Sequence, residues 1–224
     1  KEKKEPGGAG FSDQHCKVGV GSGAKFEHVP VPENLTTEGR VTNTTTGGET
    51  QVARLLSTQS GVQEELQATG TLGEATGENK KAANGEHFIE GTGTTTYTGV
   101  TVTKPAGKGC KVKGGEVKTN LLRGTSAGQG MEGKLEPAVG ETFAEFTMEG
   151  CTVAALNGIY KVTGSIKCSG EGATVLCTHN ATTEQGTLRL RGQKAGVEVN
   201  TTATARANNT EAFTPGGVTT VETP

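Results

Sequence analysis

Hydrophobic and polar residues alternate with a period of two along much of the chain from residue 86 onward, which predicts antiparallel β-strands. The longest alternation places Tyr160, Val162, Gly164, Ile166 and Cys168 on one face, with lysine, threonine and serine on the other. It predicts a single half-buried strand over 160–168. Similar alternations occur at 96–102, 110–112, 143–148, 188–191 and 197–206.

The spacing of these strands predicts the fold class. Gly-rich segments such as KPAGKG and SGEGA separate the strands, and no helical pattern intervenes from residue 86 onward. Short strands at roughly 8–12-residue spacing are typical of an antiparallel β-sandwich or jelly roll. Residues 50–72 are ambiguous, because part of their spacing suits a helix. A hairpin is favoured there, since Gly61 interrupts the helical spacing.

Composition and charge narrow the functional classes. The chain has 36 Gly, 37 Thr and 19 Val, which indicates a Thr-rich β protein with a thin core. A net charge of −2, no Trp and only two Tyr argue against nucleic-acid binding. No run of apolar residues is long enough for a membrane span.

The domain organisation follows from the same patterns. KEKKEPGGAG at the start of the chain is typical of a flexible arm, and we assign 1–15 to an N-terminal arm. Residues 16–207 form the predicted β-sandwich domain. The polar stretch 73–85 is expected to be a loop and could mark a sub-boundary between two subdomains. Residues 208–224 are expected to form a C-terminal tail or strand.

The chain has five cysteines, and their spacing does not suit zinc. Disulfides formed in an oxidising compartment are the better interpretation. Cys168 and Cys177 flank a predicted hairpin turn and form the favoured pair. Cys110 with Cys151 comes second, which leaves Cys16 free or available to bond another chain. Sequence alone leaves the other pairing schemes open.

Two catalytic signatures overlap in RGTSAGQGMEG, residues 123–133. The G-x-S-x-G match at 124–128 would make Ser126 a nucleophile, and the G-x-G-x-x-G match at 128–133 would bind a dinucleotide. Both motifs need a following helix, whereas Pro137 comes soon after and no helical pattern begins. We interpret the glycines as turn residues and predict a non-enzymatic protein with no cofactor and no metal site. Carboxylate pairs among the glutamates stay open.

Five N-x-[ST] sequons imply glycosylation only in a eukaryotic host. They begin at Asn34, Asn43, Asn180, Asn200 and Asn208.

Several stretches resemble a group of secreted, β-rich actinobacterial proteins of unknown function. They include GVTVTKPAGKGCKVKGGEVKT (99–119), TSAGQGMEGKLEP (125–137), FAEFTMEGCTVAALNGIYKVTGS (143–165) and TEQGTLRLRGQKAG (183–196). The resemblance covers roughly the C-terminal two thirds of the chain. It implies a β fold and bacterial export, and it carries no catalytic residues.

The functional expectation is an extracellular structural subunit that assembles with copies of itself. A chain beginning at Lys1 fits export with a removed signal peptide. Thr-rich faces suit lateral packing of strands, and a terminal segment could add as a strand to the sheet of a neighbouring subunit. The alternative is a secreted ligand-binding module for a cell-surface glycan or protein. The candidate assembly anchors are Phe11, Val18 and Val20 near one end, and Phe213, Val218 and Val221 near the other.

Overall fold

The computed structural model of the chain describes residues 7–13, 18–27, 36–43, 45–46, 49–81, 83, 87–127, 133–171, 174–179 and 187–207. In these ranges the chain is mostly antiparallel β-sheet, without an α-helix and with two 3-10 turns, Lys113–Gly115 and Ala154–Leu156. The predicted all-β antiparallel fold is therefore confirmed.

The described ranges contain twenty strands, numbered here in chain order. They are β1 Gly10–Phe11, β2 Gly19–Val20, β3 Thr36–Asn43, β4 Thr45–Thr46, β5 Glu49–Thr50, β6 Ala53–Gln59, β7 Val62–Ala68, β8 Gly70–Lys81, β9 His87–Thr98, β10 Thr101–Lys104, β11 Lys111–Val112, β12 Glu116–Lys118, β13 Leu122–Ala127, β14 Gly133–Pro137, β15 Thr142–Glu149, β16 Gly158–Thr163, β17 Ile166–Glu171, β18 Thr174–His179, β19 Arg189–Leu190 and β20 Gln193–Ala207.

Eight of these strands form a ladder that closes on itself. The order is β20-β18-β17-β14-β13-β9-β8-β3, and β3 pairs again with β20. Every pairing in this ring is antiparallel. The result is a near-barrel, a size at which the interior can be filled by side chains.

The remaining strands of the main sheet branch from β20 and β9. β6 pairs with the first part of β20, β7 pairs with β6, and β10 pairs with β7. β19, β16, β15 and β11 extend the sheet from the start of β20, while β12 pairs with β9. The hydrophobic core draws many of its residues from these branches, and its members include Phe143, Phe146, Met148, Tyr160, Leu188 and Leu190.

Several predicted alternations are confirmed by burial. Ala144, Phe146 and Met148 are buried, while Glu145 between them is exposed. The preferred hairpin at 50–72 is also confirmed, because β6 and β7 pair across a two-residue turn at Ser60–Gly61. Both turn residues have positive φ, 47° and 82°. This is the conformation that matches the twist of the flanking strands.

The single strand predicted over 160–168 is wrong, because the chain bends at Gly164 and Ser165 into β16 and β17. β16 pairs with β15 and β19, whereas β17 pairs with β14 and β18. Gly164 has φ +96°, which takes the chain out of the extended conformation. The alternation nevertheless continues across the bend, since Tyr160, Val162, Ile166 and Cys168 are all buried.

The polar loop expected at 73–85 is wrong for residues 73–81, which belong to β8. β8 pairs with β9 from Gly70 to Lys81 without interruption, and β3 pairs with its other edge from Leu72 to Glu78. Backbone hydrogen bonds from two neighbouring strands hold this polar sequence extended, although its intrinsic strand preference is weak. Within residues 73–81 the ladder shows no break.

The described N-terminal residues 7–13 and 18–27 form a small unit outside the ladder of the main sheet. β1 pairs with β2, so the pairing crosses the boundary assigned at residue 15. Phe11 also bridges to Phe26, whose carbonyl oxygen accepts the Phe11 N–H at 2.9 Å. The tail assigned to 208–224 lies outside the described residues.

Candidate ligand-binding groove

Two adjacent glutamates in β7 lie on opposite faces of the β6–β7 hairpin, because successive residues of a strand point to opposite sides. Glu64 is paired with Ser57, and Glu65 with Leu56. Both are buried, with exposures of 1% and 6%. Buried carboxylates are rare in proteins unless they are paired, so this hairpin is the first place to look for a functional site.

Glu65 and Glu64 both border a groove of about 430 Å³ beside the hairpin. The groove walls include Leu56, Thr58, Gln63, Glu65, Lys104 and Lys194. Ligand pockets in proteins commonly have volumes of about 300–1,000 Å³. We call this feature the outer groove.

Glu65 is held in place by two donors. The Gln67 side-chain amide donates to its Oε1 at 2.6 Å, and the Lys104 ammonium lies 3.0 Å from its Oε2. The Gln67 hydrogen bond, with help from Lys104, holds the pKa of the Glu65 carboxyl below its usual range. The groove therefore contains an ionised, oriented carboxylate at neutral pH.

The charges around this carboxylate are mixed in sign. Glu65 is negative, whereas Lys104 and Lys194 are positive, and Thr58 and Gln63 add neutral donors and acceptors. A surface of this kind suits a ligand with many hydroxyl groups better than a strongly charged ligand. None of the described residues that line the groove is aromatic.

Glu64 faces the interior, where it meets Tyr160. Its Oε1 lies 3.2 Å from the Tyr160 hydroxyl, which also donates to the Leu156 carbonyl oxygen at 2.9 Å. Burial raises the pKa of the Glu64 carboxyl. Its other oxygen, Oε2, is buried and makes no hydrogen bond within the described part of the chain. Glu64 also lines the outer groove, although its side chain points to the opposite face of β7 from that of Glu65.

Tyr160 is not available as a platform for a sugar ring. Its ring is fully buried and stacks on Phe146 with centroids 5.3 Å apart and an interplanar angle of 16°. The Arg191 guanidinium lies 4.7 Å from the ring centroid. Tyr97, the other tyrosine, is half-buried and packs against the core. Recognition of a glycan by the outer groove would therefore depend on hydrogen bonds.

One of the two favoured disulfides is confirmed. Cys110 and Cys151 are bonded to each other, and their Cα atoms are 4.1 Å apart. Cys168 is also disulfide-bonded, and the residue opposite it in the β17–β18 ladder is Cys177. That register is the one required by the Cys168–Cys177 pair, which stays a prediction. Cys16 lies outside the described residues.

The structure brings together only some of the candidate assembly anchors. Phe11 and Val20 lie on the paired strands β1 and β2, and Val18 precedes β2 with 55% of its surface exposed. The C-terminal anchors Phe213, Val218 and Val221 lie outside the described residues.

The backbone around Ser126 differs from a nucleophile elbow. Residue 126 lies within β13, paired with Ile89 of β9 on one side and Gly133 of β14 on the other. An elbow requires a sharp turn from a strand into a helix, and β13 continues instead to Ala127. Residues 128–132, which hold most of the dinucleotide motif, are outside the described ranges.

The outer groove was not anticipated from sequence. Glu65 is followed at a spacing of two by Gln67, its hydrogen-bond partner, and this pair was the only local signal. Lys104 reaches Glu65 because β10 pairs with β7, a contact between distant parts of the chain.

Among the described residues, no cluster of His, Cys, Asp and Glu is arranged to hold a metal ion. No described helix is long and apolar enough to cross a membrane.

Comparisons with protein-family models, with curated proteins and with solved structures give no match for this chain.

Proposed function

We propose that this protein is an extracellular, non-enzymatic β-domain that binds a hydroxyl-rich ligand, such as a cell-surface glycan, in the outer groove. The observation that carries the proposal is the buried, ionised carboxylate of Glu65 at a groove of about 430 Å³. The Cys110–Cys151 disulfide is compatible with an oxidising location outside the cell.

The chemistry of the groove supports this class of ligand. Gln67 and Lys104 use part of the acceptor capacity of Glu65, and a carboxylate has about four lone-pair sites. The remaining sites can accept hydrogen bonds from two neighbouring hydroxyls of a sugar. Gln63 and Thr58 can both donate and accept, which suits hydroxyl groups of the same ligand.

A glycan array probed with the wild-type protein tests the proposal, followed by calorimetric titration of the strongest binder. We expect Glu65→Gln to weaken that binding by about tenfold, because a charge-assisted hydrogen bond becomes a neutral one. Glu145→Gln is the matched control, since Glu145 lies in β15 with a side chain that is 48% exposed and 3.8 Å from Lys161.

Binding that is unchanged in Glu65→Gln would remove the outer groove as the site. The ligand class itself would be contradicted if the wild-type protein bound no glycan on the array and also bound none in solution at millimolar glycan concentration.

Assembly into a filament or surface layer is a second candidate, supported by the separate β1–β2 unit. These two strands form a sheet of their own, and Val18 is exposed beside it. A short paired segment of this kind could add to the sheet of a neighbouring copy by backbone hydrogen bonding. Copies of the same chain would then be the partner.

Negative-stain microscopy of the native protein and sedimentation velocity test this candidate. If the N-terminal unit joins the subunits, Val18→Asp is expected to weaken association at least about tenfold, because it places a charge in an apolar contact. Val139→Asp is the matched control at a more exposed valine, with 83% of its surface accessible. Dispersed monomers of the wild-type protein would contradict assembly.

A further inference from the structure

The two sides of the outer groove carry different charges, and the strand register shows how they are arranged. In the order β20-β6-β7-β10, Lys194 lies on β20 at one side and Lys104 lies on β10 at the other. Leu56 of β6 and Glu65 of β7 lie between them, directly opposite each other in the β6–β7 ladder. The groove therefore has one lysine on each side and a carboxylate between the two.

The Lys104 side is neutralised by Glu65. A β-bulge in β10 creates this contact, because the register shifts between Val102 and Lys104. Without the extra residue, Thr103 would lie opposite Glu65 and Lys104 would point to the other face, since successive residues of a strand alternate. The Lys104 ammonium instead lies 3.0 Å from the Glu65 carboxylate, so this side has little net charge.

The Lys194 side carries two positive charges. Lys194 is directly opposite Arg189 in the β19–β20 ladder, so both side chains lie on the same face of the sheet. That face is the outer one, because the neighbouring residues Leu188, Leu190 and Ala195 are buried. Like charges directly opposite each other in a ladder repel. An anion bound beside both cations would offset this repulsion.

The backbone of this positive pair is fixed relative to the groove by two hydrogen bonds from β6. The Ser57 hydroxyl donates to the Lys194 carbonyl oxygen at 2.9 Å. The Gln59 side-chain amide donates to the Leu190 carbonyl oxygen at 2.8 Å. The β19–β20 hairpin is therefore held against the strand that borders the groove.

The distance between the positive pair and Glu65 suits a ligand longer than one sugar ring. Lys194 is two strands away from Glu65 and two residues further along the ladder. At about 4.8 Å between strands and about 3.4 Å per residue, their Cα atoms are about 12 Å apart. Leu56 lies between them and is half-buried, so it offers an apolar contact for the face of a sugar ring.

We propose that the outer groove selects an acidic saccharide, in which Lys194 and Arg189 bind the anionic group and Glu65 accepts hydrogen bonds from hydroxyls of the neighbouring sugar unit. This inference rests on the proposed function, because it specifies the ligand of the same groove. It adds Lys194 and Arg189 as residues that determine specificity.

Calorimetric titration of the whole protein tests the inference with two neutral disaccharides, lactose and cellobiose, and their acidic forms. In each acidic form the exocyclic hydroxymethyl group of the terminal sugar is replaced by a carboxylate or carries a sulfate ester. We expect at least one acidic form to bind at least tenfold more tightly than its neutral parent, because a charge-assisted hydrogen bond is stronger than a neutral one. Comparing the carboxylate and sulfate forms identifies which anionic group is preferred.

Lys194→Gln is the variant that tests the assignment of the anion. It is expected to weaken binding of the acidic forms about tenfold and to leave the neutral parents unchanged, whereas a general loss of folding would weaken both. Lys118→Gln is the matched control, since Lys118 is an exposed lysine of β12 outside the groove, and it should change neither affinity.

The possible failures are distinguishable. Neutral parents that bind as tightly as the acidic forms would overturn the acidic ligand and leave the proposed function intact. A preference for acidic forms that persists in Lys194→Gln would overturn the role of Lys194. If none of these disaccharides binds at millimolar concentration, this inference fails, and the glycan array decides the proposed function separately.

Discussion

Replacing Cys110 and Cys151 together by serine is expected to lower the free energy of unfolding by about 4 kcal/mol. The two residues are 41 positions apart, so the disulfide closes a long loop in the unfolded chain. The chain-entropy relation for a loop of this length gives a stabilisation of about 4 kcal/mol at 25 °C. The bond also joins the residue before β11 to a residue just after β15, two strands that pair with each other. Urea unfolding followed by circular dichroism measures the change.

The comparison should be made without reductant, so that the Cys168 disulfide stays intact in both proteins. A matched pair of serine substitutions at exposed threonines, Thr58 and Thr152, controls for the effect of substitution itself. A loss below about 1 kcal/mol would mean that the loop between the cysteines is already restricted in the unfolded chain.

The strands that sequence predicted best are those whose buried face carries large apolar side chains. Phe146 and Met148 in β15 alternate with Glu145 and Thr147, and burial in the structure follows that alternation. The signal is strong there because each inward residue removes a large apolar area from water. The β6–β7 hairpin was predictable for a different reason, since Gly61 breaks the helical alternative and permits a tight turn.

β8 shows where local pattern fails. Its second half, GENKK at 77–81, contains no apolar residue whose burial could indicate a strand. It is extended because β9 pairs with all five residues, while β3 pairs with Gly77 and Glu78 on the other edge. Strand pairing of this kind depends on tertiary context, which a single segment does not contain.

The outer groove combines a local signal with a long-range one. Gln67 lies two residues after Glu65 on the same face of β7, so their hydrogen bond follows from strand geometry. The approach of Lys104 depends on the bulged pairing of β10 with β7, where the register shifts between Val102 and Lys104. A register shift is set by the packing of the whole sheet. The sequence therefore showed many glutamates without indicating which of them would form a site.

The change of partners at Gly164 was also hidden from sequence, because alternation continued across it. We expect Gly164→Ala to lower the free energy of unfolding by at least about 3 kcal/mol. The residue has φ +96°, and a β-carbon there would meet the Thr187 carbonyl group, with its carbon 2.6 Å away. Thr187 cannot move freely, because its N–H donates to the Ser165 carbonyl oxygen at 3.0 Å and its hydroxyl oxygen accepts the Ser165 N–H at 3.2 Å.

Gly192→Ala is the control that separates backbone strain from this steric conflict. Gly192 has a similar φ of +81°, but a β-carbon there would have no neighbour within 4 Å. Alanine in the left-handed region costs about 1–2 kcal/mol, so Gly192→Ala should lose about that amount and Gly164→Ala clearly more. Urea unfolding of both variants measures the difference. If both variants lost the same free energy of unfolding, the backbone near Thr187 would have relaxed. The geometry of the bend would then depend on the conformation of Gly164 alone. A larger loss in Gly164→Ala would show that the close approach of Gly164 to Thr187 determines where the chain passes from β16 to β17.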